Sequence, residues 1–132
     1  MKKLLIYTFL FLSFFLSVNS YAEWIKMTTS VKGNSLYLDK RTVKIVGDIR
    51  FFLYMQDYAK PNQYGDLSSR SYAELNCNNM MSRNLITDYF SLPLAEGETT
   101  EGSGAVENPE WRYFKPNSSG SILRIKVCEM KN

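Results

Sequence analysis

The feature that most constrains this chain is a predicted β-hairpin at residues 36–58, in which two runs of β-branched and aromatic residues flank Gly47-Asp48. A two-residue Gly-Asp loop suits the primed turns that join antiparallel strands. If Val46 pairs with Ile49, apolar side chains occupy both faces of the hairpin, because successive side chains point to opposite faces. A strand that is apolar on both faces belongs in the interior of a sheet. The residues alone therefore predict a small α+β or all-β domain.

The N-terminal residues 1–22 have the composition of a secretory signal peptide. Two lysines precede an apolar run at 4–18, and small residues occupy the −3 and −1 positions of a cleavage site. We predict cleavage between Ala22 and Glu23, which leaves a single domain at 23–132. A retained membrane anchor is the alternative, but the apolar run is shorter than the ~20 residues that a span requires.

The signal predicts an exported protein, located in the periplasm, released, or at the cell surface. We expect no membrane span after cleavage and no lipid anchor of the bacterial lipoprotein kind, because no cysteine follows the cleavage site. Cleavage removes two of the 16 lysines and arginines and none of the 13 aspartates and glutamates, so the net charge of the mature chain is +1. A charge this small argues against nucleic acid as a partner.

Acidic residues are concentrated in one segment, since residues 95–110 contain five glutamates and no lysine or arginine. A glycine-rich segment of this composition cannot bury enough apolar surface to order itself, so we predict a mobile loop at 93–109. A solvated loop is the simplest interpretation, and a site for a basic partner is the alternative. The glutamates are Glu96, Glu98, Glu101, Glu107 and Glu110.

Cys77 and Cys128 are the two cysteines, and the chain has no histidine. Two cysteines in an exported chain most often form a disulfide, with two buried free thiols as the alternative. Such a bond would close a loop of 51 residues, which loop-closure entropy values at about 4 kcal/mol. Without histidine, neither a Ser-His-Asp nor a Cys-His catalytic arrangement is available, and a structural zinc site is excluded in practice.

No other pattern predicts an enzyme, a metal site or a cofactor. The glycines of the acidic segment do not match a phosphate-binding loop, which needs a lysine and a following helix. We therefore predict a non-enzymatic protein, with a carboxylate-based hydrolase as the alternative. Asp39 is more simply explained as the cap of a turn at residues 39–41. The carboxylates open to pairing are Asp39, Asp57, Asp66, Glu74 and Asp88.

The remaining pattern predicts five or six antiparallel strands and leaves the C-terminus ambiguous. Leu123 and Val127 fit helical spacing, but together with Ile125 they also alternate as in a strand, and Gly120 weakens a helix. Periodicity slightly favours a strand at 118–130. Besides the hairpin, the predicted strands lie at 23–31, 69–77 and 80–92.

Several short motifs, taken in order, resemble the surface-adhesin protein E family of exported bacterial proteins. The resemblance rests on the order and spacing of the motifs, which cover the mature chain. They are Ala22-Glu23-Trp24, Leu36-Tyr37-Leu38-Asp39, Thr42-Val43, Ser71 to Cys77, Trp111, Pro116-Asn117-Ser118 and Val127-Cys128. The resemblance implies an α+β fold, with an antiparallel sheet of about six strands and one C-terminal helix packed on it. It also implies that a Cys77–Cys128 disulfide ties the helix to the sheet, and it overrides the preference for a C-terminal strand.

The activity implied by the resemblance is adhesion, meaning the binding of host extracellular proteins. Without an anchor, the sequence better fits a periplasmic or released binding protein, or an envelope-accessory protein. We expect the acidic loop and its aromatic exit to contact a basic protein, such as a host matrix protein or an envelope protein. An inert loop with Trp111 buried in the core is the alternative. The candidate contacts are Glu98, Glu101, Glu107, Trp111 and Tyr113.

Overall fold

A computed structural model describes residue 3 and residues 22–132. In this part of the chain seven strands form one antiparallel sheet, and a C-terminal α-helix follows them. The first five strands form a meander, whereas the short sixth and seventh strands both pair with the fifth. The elements are β1 (Trp24–Thr29), β2 (Ser35–Val46), β3 (Ile49–Asp57), β4 (Ser68–Asn76), β5 (Met81–Phe90), a 3-10 turn (Pro93–Ala95), β6 (Gly104–Ala105), β7 (Arg112–Tyr113) and α1 (Ser119–Glu129).

The predicted signal peptide lies outside the described residues, apart from residues 3 and 22, so its cleavage after Ala22 stays a prediction. Trp24, the second residue after the predicted cleavage site, begins β1. Within the described residues, no helix has the length and apolar character needed to cross a membrane.

The hairpin between β2 and β3 forms with the predicted register. Val46 pairs with Ile49, and Gly47 in the turn has a φ of 58°, a conformation that glycine adopts without steric cost. Alternation along β3 then places Phe51 and Phe52 on opposite faces of the sheet. The apolar side chains of one face pack against α1, whereas those of the other face are not covered by it.

The turn predicted at residues 39–41 does not end a strand, because β2 is one continuous strand with an interrupted register. Its pairing with β3 shifts between Asp39 and Lys44. There the backbone N–H of Arg41 donates to Oδ1 of Asp39 at 3.1 Å, and the Thr42 hydroxyl donates to the Asp39 carbonyl at 2.7 Å. Asp39 thus has the predicted structural role, but within a bulge, which bends a strand without ending it.

One side of the sheet, the covered face, packs against α1 and contains the hydrophobic core. The helix contacts β1 and β2, and its Leu123 and Val127 are fully buried against Leu38 and Phe52. Full burial of an apolar side chain of this size stabilises a fold by roughly 1.5–3 kcal/mol. The buried cluster consists of Leu36, Leu38, Phe52, Tyr54, Ala73, Leu75, Leu123 and Val127.

The C-terminal segment is the helix that the family resemblance implied, and the slight preference of periodicity for a strand was wrong. The Ser118 side chain caps the helix by accepting a hydrogen bond from the backbone N–H of Ser121 at 3.2 Å. Ile125, midway between Leu123 and Val127, is 46% exposed. This difference in exposure between Ile125 and its two buried neighbours is expected for a helix, because residues four apart lie on the same face and residues two apart do not.

Two local features fasten α1 to the sheet. The Cys77–Cys128 disulfide, confirmed as expected, joins the end of β4 to the last turn of the helix. At the first turn, the Phe114 ring lies directly on Gly120, where a Cβ atom would overlap it. Although Gly120 is unfavourable for helix propensity, it permits this close approach.

The acidic segment after β5 is hydrogen-bonded along the sheet edge, which corrects the prediction of a mobile loop. The backbone N–H of Thr100 donates to the Tyr89 carbonyl at 2.8 Å, and the N–H of Val106 donates to the Leu85 carbonyl at 2.9 Å. Between them the Ser103 hydroxyl accepts from the N–H of Tyr89 at 2.8 Å. The segment is therefore ordered by its hydrogen bonds to the edge of β5, although its composition would not order it alone.

Candidate functional site

The second side of the sheet, the open face, is left uncovered by α1. The register identifies its members, because directly paired residues share a face. Phe51 pairs with Glu74 and Glu74 with Arg83, so these three form one row across β3, β4 and β5. The side chains of the open face include Lys26, Tyr37, Lys44, Phe51, Leu53, Arg70, Tyr72, Glu74, Arg83, Ile86 and Asp88, the fully buried Met55, and Trp111 and Tyr113 described below.

The centre of the open face is aromatic. The rings of Phe51 and Tyr72 stack with centroids 6.1 Å apart and planes inclined by 17°. Ile86, the cross-strand partner of Tyr72, is 43% exposed. On β1 and β2 the Lys26 ammonium lies 5.8 Å from the centroid of the Tyr37 ring. Aromatic surface of this kind offers a large apolar contact area with specific geometry.

Trp111 extends the open face beyond β5. The two-residue strand β7 pairs Tyr113 with Met81, which brings the preceding Trp111 beside Arg83. The Arg83 guanidinium lies 4.4 Å from the indole centroid, and its Nε donates to Oε2 of Glu74 at 2.8 Å. Trp111 is 39% exposed and Tyr113 62% exposed, so the alternative of a core tryptophan is wrong.

The charged side chains at the centre of the open face are paired with one another. Nη2 of Arg70 donates to Oδ2 of Asp88 at 3.2 Å, and the Arg70 guanidinium lies 5.4 Å from the centroid of the Phe90 ring. Pairs this close to solvent contribute about 0–1 kcal/mol to stability. Their main consequence here is geometric, since each arginine is held beside an aromatic ring.

The structure separates the five residues predicted to contact a partner. Trp111 and Tyr113 lie on the open face. Glu107 lines a cleft on the other side of the sheet, and Glu101 lines a depression beyond the end of β3. Glu98 is exposed in the turn after the 3-10 helix. Aromatic and acidic residues that are neighbours in the sequence therefore belong to different surfaces, and their contact with a partner stays a prediction.

Each carboxylate that was open to acid–base pairing is engaged by a group within the fold. Oδ1 of Asp66 accepts from the Thr100 hydroxyl at 2.7 Å, and Oδ1 of Asp57 accepts from the backbone N–H of Leu94 at 2.8 Å. The other three, Asp39, Glu74 and Asp88, form ion pairs with arginines. Within the described part of the chain, no group of three or more Asp, Glu, Cys or His residues is arranged to hold a metal ion.

Sequence reasoning missed a cleft of about 420 Å³ between β5, α1 and the acidic segment. Its lining includes Arg124, which comes from the middle of α1 and is only 2% exposed. Burial lowers the pKa of the Arg124 guanidinium below its ordinary value, and the nearby Tyr54 hydroxyl partly offsets this effect. The signal in the sequence was a charged residue directly after Leu123, on the apolar side of the predicted helix.

The sequence profile of the surface-adhesin protein E family matches residues 24–129. The chain belongs to this family. Membership places it among surface adhesins and agrees with the sheet, the C-terminal helix and the disulfide described above.

The fold is similar to that of protein E from Haemophilus influenzae. Its crystal form II superposes with a TM-score of 0.59 at 18% sequence identity, covering 83% of this chain and 90% of that chain. Protein E from non-typeable Haemophilus influenzae gives a TM-score of 0.56 at 17% identity, covering 84% of this chain and 78% of that chain. Identities this low establish a shared fold alone. No curated protein matches the chain at a significant level.

Proposed function

We propose that the protein is an exported, non-enzymatic binding protein whose open face contacts another protein. The observation that carries the proposal is a sheet face, not covered by α1, on which aromatic rings and arginines lie side by side. Protein interfaces are enriched in Trp, Tyr, Phe and Arg, and these residues dominate binding energy. Membership of a surface-adhesin family supports a partner among host extracellular proteins or envelope proteins.

The open face is also held in a fixed arrangement before any partner arrives. Phe51 stacks on Tyr72, and Trp111 lies against Arg83, which Glu74 holds in turn. A partner therefore does not have to immobilise these side chains, and association loses less conformational entropy.

A non-enzymatic role is supported by the state of the acidic side chains. A general acid or base needs access to a substrate proton, whereas the five candidate carboxylates serve bulge, loop and ion-pair geometry. The chain has no histidine to replace them.

Export is part of the proposal, with the mature chain beginning at Glu23. Mass spectrometry of protein recovered from the envelope or the culture medium tests it. A terminus at Glu23 is expected, and recovery of the chain with Met1 still present would contradict export with cleavage.

The binding role is tested by comparing two aromatic residues of the open face with one exposed tyrosine outside it. Tyr113→Ala and Trp111→Ala alter the open face, whereas Tyr64→Ala is the matched control because Tyr64 is exposed on the loop after β3. Binding is measured by pull-down from envelope extract and by surface plasmon resonance on immobilised host matrix proteins. We expect a loss of roughly 2 kcal/mol or more for a central aromatic contact, and no change for the control.

Equal binding by Tyr113→Ala, Trp111→Ala and Tyr64→Ala would exclude the open face as the contact surface. Absence of any partner for the unaltered protein would favour the alternative, an envelope-accessory or structural role without adhesive activity.

The exposed glutamates of the acidic segment are proposed to influence partner choice rather than affinity, because exposed charges act mainly on the association rate. Replacing Glu98, Glu101 and Glu107 together by Gln should slow association with a basic partner and weaken its salt dependence. An unchanged association rate at low salt would remove these residues from the proposal.

A further inference from the structure

The cleft between β5, α1 and the acidic segment combines buried donors with exposed acceptors. Its volume of about 420 Å³ lies within the range of small-molecule sites. Ser82 and Arg124 are buried and line its interior, while Glu107 and Glu110 line it from exposed positions on the acidic segment. Of the residues that line the cleft, the proposed function uses only Arg83 and Glu107, and it gives no role to the buried donors in the interior.

Arg124 is held in one orientation with donors still available. Its guanidinium lies 3.6 Å from the Phe114 centroid and 5.6 Å from the Tyr54 centroid, and Nη1 donates to the Gly120 carbonyl at 3.0 Å. Of the five guanidinium N–H donors, the Gly120 carbonyl accepts one and the Tyr54 hydroxyl interacts with the same guanidinium, which leaves donors for an acceptor in the cleft.

The buried Nε of Arg124 has no hydrogen-bond partner, and none of the ion pairs within residues 22–132 includes this residue. Burying a cation without an anion is unfavourable, and buried charges in proteins are normally paired. The clamp by Phe114 and Tyr54 explains how Arg124 is oriented but supplies no anion.

A second unpaired donor lies in the same cleft. Oγ of Ser82 is buried without a hydrogen-bond partner, and a buried polar group left unpaired calls for an explanation. Asn84, two residues further along β5, accepts from the Tyr54 hydroxyl through Oδ1 at 3.1 Å. This leaves the amide N–H donors of Asn84 for a ligand. The interior of the cleft is therefore suited to an anionic, oxygen-bearing group.

The charges around the cleft indicate a ligand that carries both signs. Arg112 and Arg124 contribute two positive charges, and Glu107 and Glu110 contribute two negative charges. Arg83 also borders the cleft, but its guanidinium is committed to the open face. A simple anion would meet the glutamates, whereas a zwitterion can satisfy both sets.

We propose that the cleft binds an α-amino acid or a short peptide with a free C-terminus. Arg124 and Ser82 hold the carboxylate in the interior, and Glu107 and Glu110 receive the ammonium group. No bond is made or broken in this event. The proposal is independent of protein binding at the open face.

Calorimetric titration of the full disulfide-bonded protein tests the ligand class. The probes are the individual L-amino acids and the tripeptide Ala-Ala-Ala, each compared with its C-terminal amide. We expect saturable binding by at least one carboxylate form and binding about ten-fold weaker or less by its amide, because the amide removes the charge that Arg124 recognises. Comparison of the amino-acid and peptide titrations shows whether the cleft binds a free amino acid or the C-terminus of a peptide.

Three conservative variants test the residues without disturbing the core. Ser82→Ala removes one donor, and Glu107→Gln with Glu110→Gln removes the rim charges, while Glu98→Gln is the matched control because Glu98 is not part of the cleft lining. The first two should weaken binding about ten-fold, and the control should bind as the unaltered protein does.

Arg124→Met keeps much of the length of the side chain and should abolish binding, with thermal unfolding recorded to confirm the fold. If that variant unfolds, the Ser82 and rim variants still decide the outcome. Equal affinity for acid and amide, or unaltered affinity in those variants, would overturn the proposal. So would the absence of binding by every probe at about 10 mM, above the millimolar Kd of weak complexes. Tyr113→Ala should retain this binding, which separates failure here from failure of the open-face proposal.

Discussion

The two faces of the sheet are made from the same strands, yet their side chains are stabilised in different ways. Phe52 on the covered face is buried by a helix that comes from the far end of the chain. Phe51, its neighbour on the open face, is supported laterally by Tyr72 from the adjacent strand. A strand that is apolar on both sides therefore need not be buried on both sides. Apolar surface that the fold does not cover is a common mark of an interaction site.

The comparison is sharpest for the two adjacent phenylalanines. Phe52→Ala should destabilise the protein by about 3–5 kcal/mol, because it opens a cavity in a fully buried cluster. Phe51→Ala should cost much less stability, since its site is only partly buried and lies on the side of the sheet away from α1, but it should weaken partner binding. Denaturant unfolding and binding assays on both variants measure the two effects. Equal losses of stability would show that the open face is also a structural core.

The disulfide should contribute almost as much as the core phenylalanine. Cys128→Ala is expected to lower the free energy of unfolding by about 4 kcal/mol, because the bond restrains a 51-residue loop in the unfolded chain. Reduction of the unaltered protein should produce the same loss, and a reducing agent should have no effect on the variant.

In the native Cys128→Ala variant, the open face should retain its binding, because the bond lies on the helix side of the sheet. Loss of binding at a temperature where the variant remains folded would show that the two faces are coupled. An unchanged midpoint of unfolding would mean that the disulfide adds no stability.

Much of the sheet was predictable from local residues, because Gly47-Asp48 determines the hairpin turn and alternation determines the faces of β3. The C-terminal helix was not predictable from periodicity. Its inner face contains Arg124 beside Leu123 and places Gly120 under Phe114, so two of its positions break the apolar stripe that marks a helix. The family resemblance did predict the helix, because it depends on the order of motifs along the chain and not on the spacing of apolar residues.

The candidate surfaces were only partly predictable. Trp111 and Tyr113 were identified from their aromatic character, but their neighbours on the open face depend on a register that runs through four strands. The pairing of β4 with β5 shifts its register between Tyr72 and Ala73. A shift of one residue moves each following side chain to the opposite face of the sheet. The order of the acidic segment was missed for a related reason, since its hydrogen bonds reach the distant edge of β5 and leave no local pattern.

The helix cap should have a smaller effect than either the core or the disulfide. Ser118→Ala removes the side-chain acceptor for the backbone N–H of Ser121 and should cost about 1 kcal/mol. Ser119→Ala is the matched control, because Ser119 is the first residue within the helix and is not the capping residue. Denaturant unfolding of the two variants measures the difference, and identical midpoints would contradict the cap.

The smallest effect is expected for the ion pair on the open face. Arg70 and Asp88 are partly exposed and 3.2 Å apart, so a double-mutant cycle with Arg70→Gln and Asp88→Asn should give a coupling of only about 0.2–1 kcal/mol. Added salt should reduce it, because a solvent-exposed pair is screened. A coupling well above this range would mean that the charges of the open face stabilise the fold as the core does. A small coupling would strengthen the contrast between the two faces of the sheet. Residues of the open face that contribute little to stability can change to suit a different partner, because such changes do not unfold the protein.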